Sequence, residues 1–87
     1  MEEALKRLVR IADEAKKMHD FMTDNGYSNT PYTRIYDDVA DAIYYMIGED
    51  KAGYDTFDQS VTYQVLNSDL DNSAKTRILL DAYEQAA

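Results

Sequence analysis

Apolar residues recur along this chain at helical rather than strand spacing. In residues 2–24, Ala4, Leu8, Ile11, Ala15, Met18 and Met22 step by four and three, and Leu5, Ala12 and Phe21 widen the stripe. Glu2 and Glu3 stand where the helix macrodipole favours acids, and Asn25-Gly26 supplies the left-handed residues that stop a helix. The heptad spacing lasts fewer than three repeats, short for a coiled coil, so an amphipathic bundle helix is predicted. A second stripe lies in Arg34–Gly48, where Ile35, Val39, Ala42 and Met46 share a face that Tyr36, Ala40, Ile43 and Ile47 broaden. Asp37, Asp38 and Asp41 fall between these positions and Tyr44 and Tyr45 follow, which predicts a helix with a buried stripe and an acidic, tyrosine-bearing edge.

The connections follow from the residues that interrupt the pattern. Tyr27–Tyr32 is a loop by composition, because Pro31 forces Thr30 out of helical geometry. Thr30 or Thr33 can cap the next helix, with Pro31 suited to its first turn if Thr30 is the cap. That helix runs to Ile47 with Gly48 as its C-cap, and Glu49–Asp55 is a polar turn.

Thr56–Leu66 supports two patterns. As a helix it has Thr56 and Gln59 in capping-box spacing, then Phe57, Val61 and Val65 on one side. As a strand, Ser60–Val65 alternates and would pair with Gly53–Phe57 across Asp58-Gln59, which lacks the glycine of a tight hairpin. Helix is the prediction and a hairpin around residues 53–66 the alternative. Asn67–Ser73 is a polar break with Ser68 and Asp71 again in capping-box spacing, and a last helix holds Ala74, Ile78, Leu79, Ala82 and Tyr83, fraying at Gln85. The sum is an all-α fold, a small irregular bundle of three to four short helices in a single domain over residues 1–87; the alternative is α+β.

Composition narrows this picture. A chain of 87 residues lies near the small end of what folds on one core, and its 45% apolar content is that of a globular protein. The absence of cysteine removes disulfides, thiolate chemistry and zinc–sulfur sites together. No apolar run approaches the roughly 20 residues that span a bilayer, and charges throughout the first 17 residues leave no signal-peptide core, so a cytoplasmic protein is expected.

The net charge of −8 is concentrated. Residues 25–72 hold nine acids against Arg34 and Lys51, whereas residues 2–24 hold six acids and five bases. The acidic block also carries seven of the eight tyrosines. A negative field disfavours nucleic acid and anionic membrane surfaces, which need Lys or Arg to neutralise phosphate, and it suits a basic protein. Lys6, Arg10 and Lys17 share a side of the first helix, with Arg7 and Lys16 beside them. Glu3, Asp13, Glu14 and Asp20 dilute that face, so it is expected to be solvated and self-paired.

Catalytic patterns are not found. His19 is the one histidine, so no histidine metal cluster can form, and a part-buried or surface position near a helix end is expected of it. Asp69-Leu70-Asp71-Asn72-Ser73 resembles the start of a calcium loop, but Ala74 and Leu80 occupy the positions that require Gly and Glu, and a helix N-cap explains the run better. Asp37 and Asp41 lack the Glu-x-x-His partners of a bundle dimetal site. With no phosphate loop or nucleophile constellation either, no enzyme activity, cofactor or metal is expected.

The remaining signal is carboxylates interleaved with tyrosines, which offer rigid contact area with a polar tip. Asp37, Asp38, Asp41, Tyr44, Tyr45, Glu49, Asp50, Tyr54 and Asp55 form the expected partner-binding set. Carboxylates spaced along a helix can stand where backbone phosphates would, so the expected partner is a basic, nucleic-acid-binding protein. In size, acidity and absence of motif the chain resembles small phage-encoded anti-defence proteins, anti-CRISPR inhibitors and DNA mimics among them. That resemblance implies an inhibitor and assigns no residue roles. Two alternatives stand beside it: a helical self-association or adaptor module in which the first and central helices pair between subunits, giving a homodimer, and a small-molecule-binding bundle that stacks ligand on tyrosines.

Overall fold

The computed structural model describes residues 1–28, 30–52 and 60–86. They form α1 (Glu2–Asp24), α2 (Pro31–Met46), a 3₁₀ turn (Glu49–Ala52), α3 (Val61–Leu66) and α4 (Asn72–Ala86), with no strand among the described residues. The fold is a small all-α bundle. Val61–Leu66 is helical, which excludes the alternative strand for Ser60–Val65; the expected Thr56–Gln59 cap and the hairpin partner Gly53–Phe57 lie outside the described residues. The cap of α3 is Ser60, whose Oγ accepts from the Tyr63 N–H at 3.0 Å.

Local signals place most helix ends. Gly26 takes φ +89°, and the Tyr27 N–H reaches back to the Met22 carbonyl at 3.0 Å, closing a Schellman turn after α1. Gly48 takes φ +82° after α2. Thr30 is the N-cap of α2 with Pro31 at its first position, yet its hydroxyl makes no capping bond. It lies instead 2.8 Å from His19 Nδ1, with the Thr33 hydroxyl 3.0 Å away on the same nitrogen. The single histidine thus pins the far end of α1 to the start of α2. Asp71 caps α4 by accepting from the Ala74 N–H at 2.8 Å, as an N-cap reading of that acidic run requires.

The core is built from Leu5, Val9, Ala12 and Ala15 of α1, Tyr36, Ala40 and Ile43 of α2 with Ile47 at its C-cap, Val65 and Leu66 of α3, and Leu79 of α4. This corrects the stripe expected on α1. Leu5 and Val9 are fully enclosed, whereas Ala4, Ile11, Met18 and Phe21 are exposed. The apolar arc of α1 is wider than its own bundle needs, and the helix is rotated so that one margin of the arc stays outside. Ile35 and Ala42 of α2 and Ile78 of α4, also expected to be buried, are exposed as well, the core side of α2 being the Tyr36, Ala40, Ile43 and Ile47 margin of its stripe.

α3 has only six residues, too few to persist alone, and it is clamped at both ends. At its N-terminus the buried Glu49 carboxylate accepts from the Val61 N–H at 2.7 Å and the Thr62 N–H at 2.8 Å, and also from the Thr62 hydroxyl. At its C-terminus the buried Lys75 ammonium donates to the Leu66 carbonyl at 3.2 Å. Acid at the positive end and base at the negative end complement the helix dipole, and tie the 3₁₀ turn and α4 together through α3.

Tyr36 joins α2 to the end of α3 by donating to Asn67 Oδ1 at 2.7 Å, with its ring edge-on to Tyr63. Burial, reinforced by Tyr63 and Asp37, pushes its hydroxyl from 10.0 up to about 12. The folded chain therefore holds this proton more tightly than the unfolded chain. The resulting stabilisation is complete below pH 10.0 and is lost as pH rises through about 12. Tyr36→Phe is expected to cost about 1 kcal/mol at neutral pH through the lost hydrogen bond, and to flatten the fall of the urea midpoint across this alkaline window. An alkaline slope unchanged by the substitution would assign the transition to other groups.

Candidate functional site

α2 sets out the expected site along its outer side. Asp37 and Asp41 are one turn apart, Tyr45 lies one turn further, and Asp38 is next to Asp37 around the helix. All four side chains are exposed. Buried Tyr36, Ala40 and Ile43 anchor the opposite side in the core, so the carboxylates stand on a rigid support. Tyr44 is half-buried and meets Tyr45 edge to face, with ring centroids 5.3 Å apart at 89°. Burial, helped by Glu49, Tyr45, Asp50 and Asp41, pushes the Tyr44 hydroxyl upward from its ordinary value. Asp50, exposed on the 3₁₀ turn, continues the acidic run past the end of α2.

Two members of the expected set are placed differently. Glu49 is only 6% exposed, and its carboxylate is occupied by the N-terminus of α3, so it belongs to the interior and not to the outer surface. Spacing could not separate it from Asp50, because its role depends on donors 12 and 13 residues further along. Tyr54 and Asp55 lie outside the described residues.

The electrostatics of this side are unneutralised. Ion pairs among the described residues join Arg7 to Glu3 at 3.1 Å and Lys17 to Asp13 at 2.9 Å, both within α1. These partners hold the Glu3 and Asp13 carboxyls below their usual range. None of Asp37, Asp38, Asp41 or Asp50 is so paired among the described residues, Arg34 notwithstanding. The basic face of α1 is dispersed, as its interleaved acids suggest. Lys17 is paired, while Lys6 and Arg10 line a groove of about 860 Å³ between α1 and α4 together with Glu2, Arg77, Asp81 and Glu84.

A second surface is apolar and carries no net charge. Between α1 and α2 runs an apolar groove of about 370 Å³, formed by Ile11, Ala15 and Met18 on one wall and Tyr32 and Ile35 on the other. Its sequence signal was present: the four-and-three stripe of α1 contains more apolar positions than a monomeric bundle buries. Among the described residues no three His, Asp or Glu side chains come together as a metal site, and no helix is long and apolar enough to cross a membrane. No protein-family model, curated protein or solved structure matches the chain.

Proposed function

We propose that this chain is a non-enzymatic protein-interaction protein that docks the acidic, tyrosine-bearing side of α2 on a basic surface, and that it inhibits a nucleic-acid-binding protein by occupying the groove meant for phosphate. The observation that carries this reading is the exposed row Asp37, Asp38, Asp41 and Tyr45 on one rigid helix, with the carboxylates unpaired among the described residues. A preformed helix presents its charges without an ordering penalty at binding. Unpaired carboxylates speed encounter with a basic partner, and the exposed Tyr45 ring, buttressed by Tyr44, supplies apolar contact area.

The test replaces Asp37, Asp38 and Asp41 together with Asn. Because Asp37 and Asp41 repel one another a turn apart, the folded state is expected to keep its stability or gain about 0.3 kcal/mol. Tagged wild-type protein should retain a basic nucleic-acid-binding protein from host lysate at low salt, release it at high salt, and block its binding to nucleic acid. The triple variant should retain none. Equal capture by the variant would refute the proposal.

A further inference from the structure

We infer that the apolar groove between α1 and α2 is a dimerisation surface, occupied by α1 of a second copy of this chain running antiparallel. Ile11 is 45% exposed, Met18 39% and Ile35 41%, and Phe21 extends the α1 wall one turn further at 61%. Ile11, Met18 and Ile35 line one groove along two packed helices, so they form one patch and not a scatter of single apolar side chains. The expected heptad stripe divides along this line: Leu8, Ala15 and Met22 face inward or sideways, whereas Ala4, Ile11 and Met18 are left outside. A second helix laid over that margin would cover Ile11 and Met18, which stand two turns apart on it.

Charge selects a second copy as the occupant. Arg10, on the crest between this groove and the one beside α4, and Glu14 both line it, one turn apart, and neither has an ion-pair partner among the described residues. A two-fold axis level with Ala12, one residue from Ile11, places Arg10 of each copy opposite Glu14 of the other, giving reciprocal pairs that flank the two Ile11 side chains where they meet beside the axis. The wider field also favours this location. The chain's excess negative charge lies in residues 25–72, and residues 2–24 are nearly neutral, so α1 is where two such chains approach with least repulsion. At about 100° per residue, Asp37 and Asp41 are turned roughly 160° and 120° away from Ile35, so dimerisation leaves these two carboxylates outward, while Asp38, about 60° away, borders the groove.

Sedimentation equilibrium on the full chain tests this, with helical content followed by circular dichroism. Wild type is expected to be a dimer at high micromolar concentration and to remain one in high salt, because the contact is chiefly apolar. Ile11→Glu is expected to keep its helicity, since the position is exposed, and to weaken association on the order of 100-fold by placing two like carboxylates against each other beside the axis. Arg10→Glu and Glu14→Arg should each weaken association, and the double exchange should restore it. The D37N/D41N protein, which removes the two outward carboxylates and keeps Asp38 beside the groove, should dimerise like wild type, which separates this inference from the acidic-surface reading. A wild-type monomer would overturn the inference and leave the groove to a foreign helix. A dimer indifferent to Ile11→Glu, or singles not rescued by the double exchange, would overturn it equally.

Discussion

Glu49→Ala is expected to destabilise the protein by about 3 kcal/mol, although Glu49 is one acid among seventeen and sits in a polar turn. The carboxylate accepts from the Val61 and Thr62 N–H groups and from the Thr62 hydroxyl, and Thr62 itself is fully buried. Removing it strands these donors where water does not replace the acceptor, and each unsatisfied buried donor costs about 1–3 kcal/mol. It also deletes the negative charge at the N-terminus of a helix of six residues, which lacks the length to survive without its caps. A chain this size has roughly 4–13 kcal/mol in total, so the loss is a large fraction. The thermal midpoint should fall by roughly 12–24 °C, at about 4–8 °C per kcal/mol. Glu49→Gln keeps one acceptor oxygen but turns an NH₂ toward the donors, and should fall between. Asp50→Ala, one residue along and exposed, should change stability by less than about 0.5 kcal/mol. If the two alanine variants melted alike, the Glu49 clamp would not exist as described.

The contrast between Glu49 and Asp50 shows what the sequence makes legible and where it falls silent. Helix ends set by backbone conformation were readable, because Asn25-Gly26, Pro31 and Gly48 act within a few residues of themselves. Helicity itself was readable from apolar spacing, and so was the acidic side of α2, since its residues share one regular element. Contacts made at long range were not. Glu49 reaches α3, Lys75 reaches the Leu66 carbonyl, and His19 bridges to Thr30 and Thr33, and no local pattern announces such partners. The rotation of α1 belongs to the same class. Periodicity shows that a helix has an apolar arc, but which part of a wide arc is buried depends on where α2 and α4 lie.

That rotation supports the second large expected effect, a pair of substitutions on α1 with opposite outcomes. Leu5→Ala should destabilise by about 3 kcal/mol, because Leu5 is completely enclosed and its removal leaves a cavity that a helix packed on two sides cannot readily collapse. Ile11→Ala, in protein dilute enough that copies are apart, should change stability by less than about 0.5 kcal/mol, since the side chain is 45% exposed. Part of what it loses in contact is returned by the better helix propensity of Ala, worth a few tenths of a kcal/mol. On strict four-and-three periodicity the order would be reversed, with Ile11 on the central stripe and Leu5 at its edge. Chemical denaturation of the two variants therefore decides between two orientations of α1 about its axis. A loss at Ile11 equal to that at Leu5, persisting on dilution, would mean that Ile11 packs inside its own chain. The exposed groove and the dimer drawn from it would then fall together. A loss at Ile11 that appears only as concentration rises would instead measure the second copy, because association stabilises the folded state by mass action.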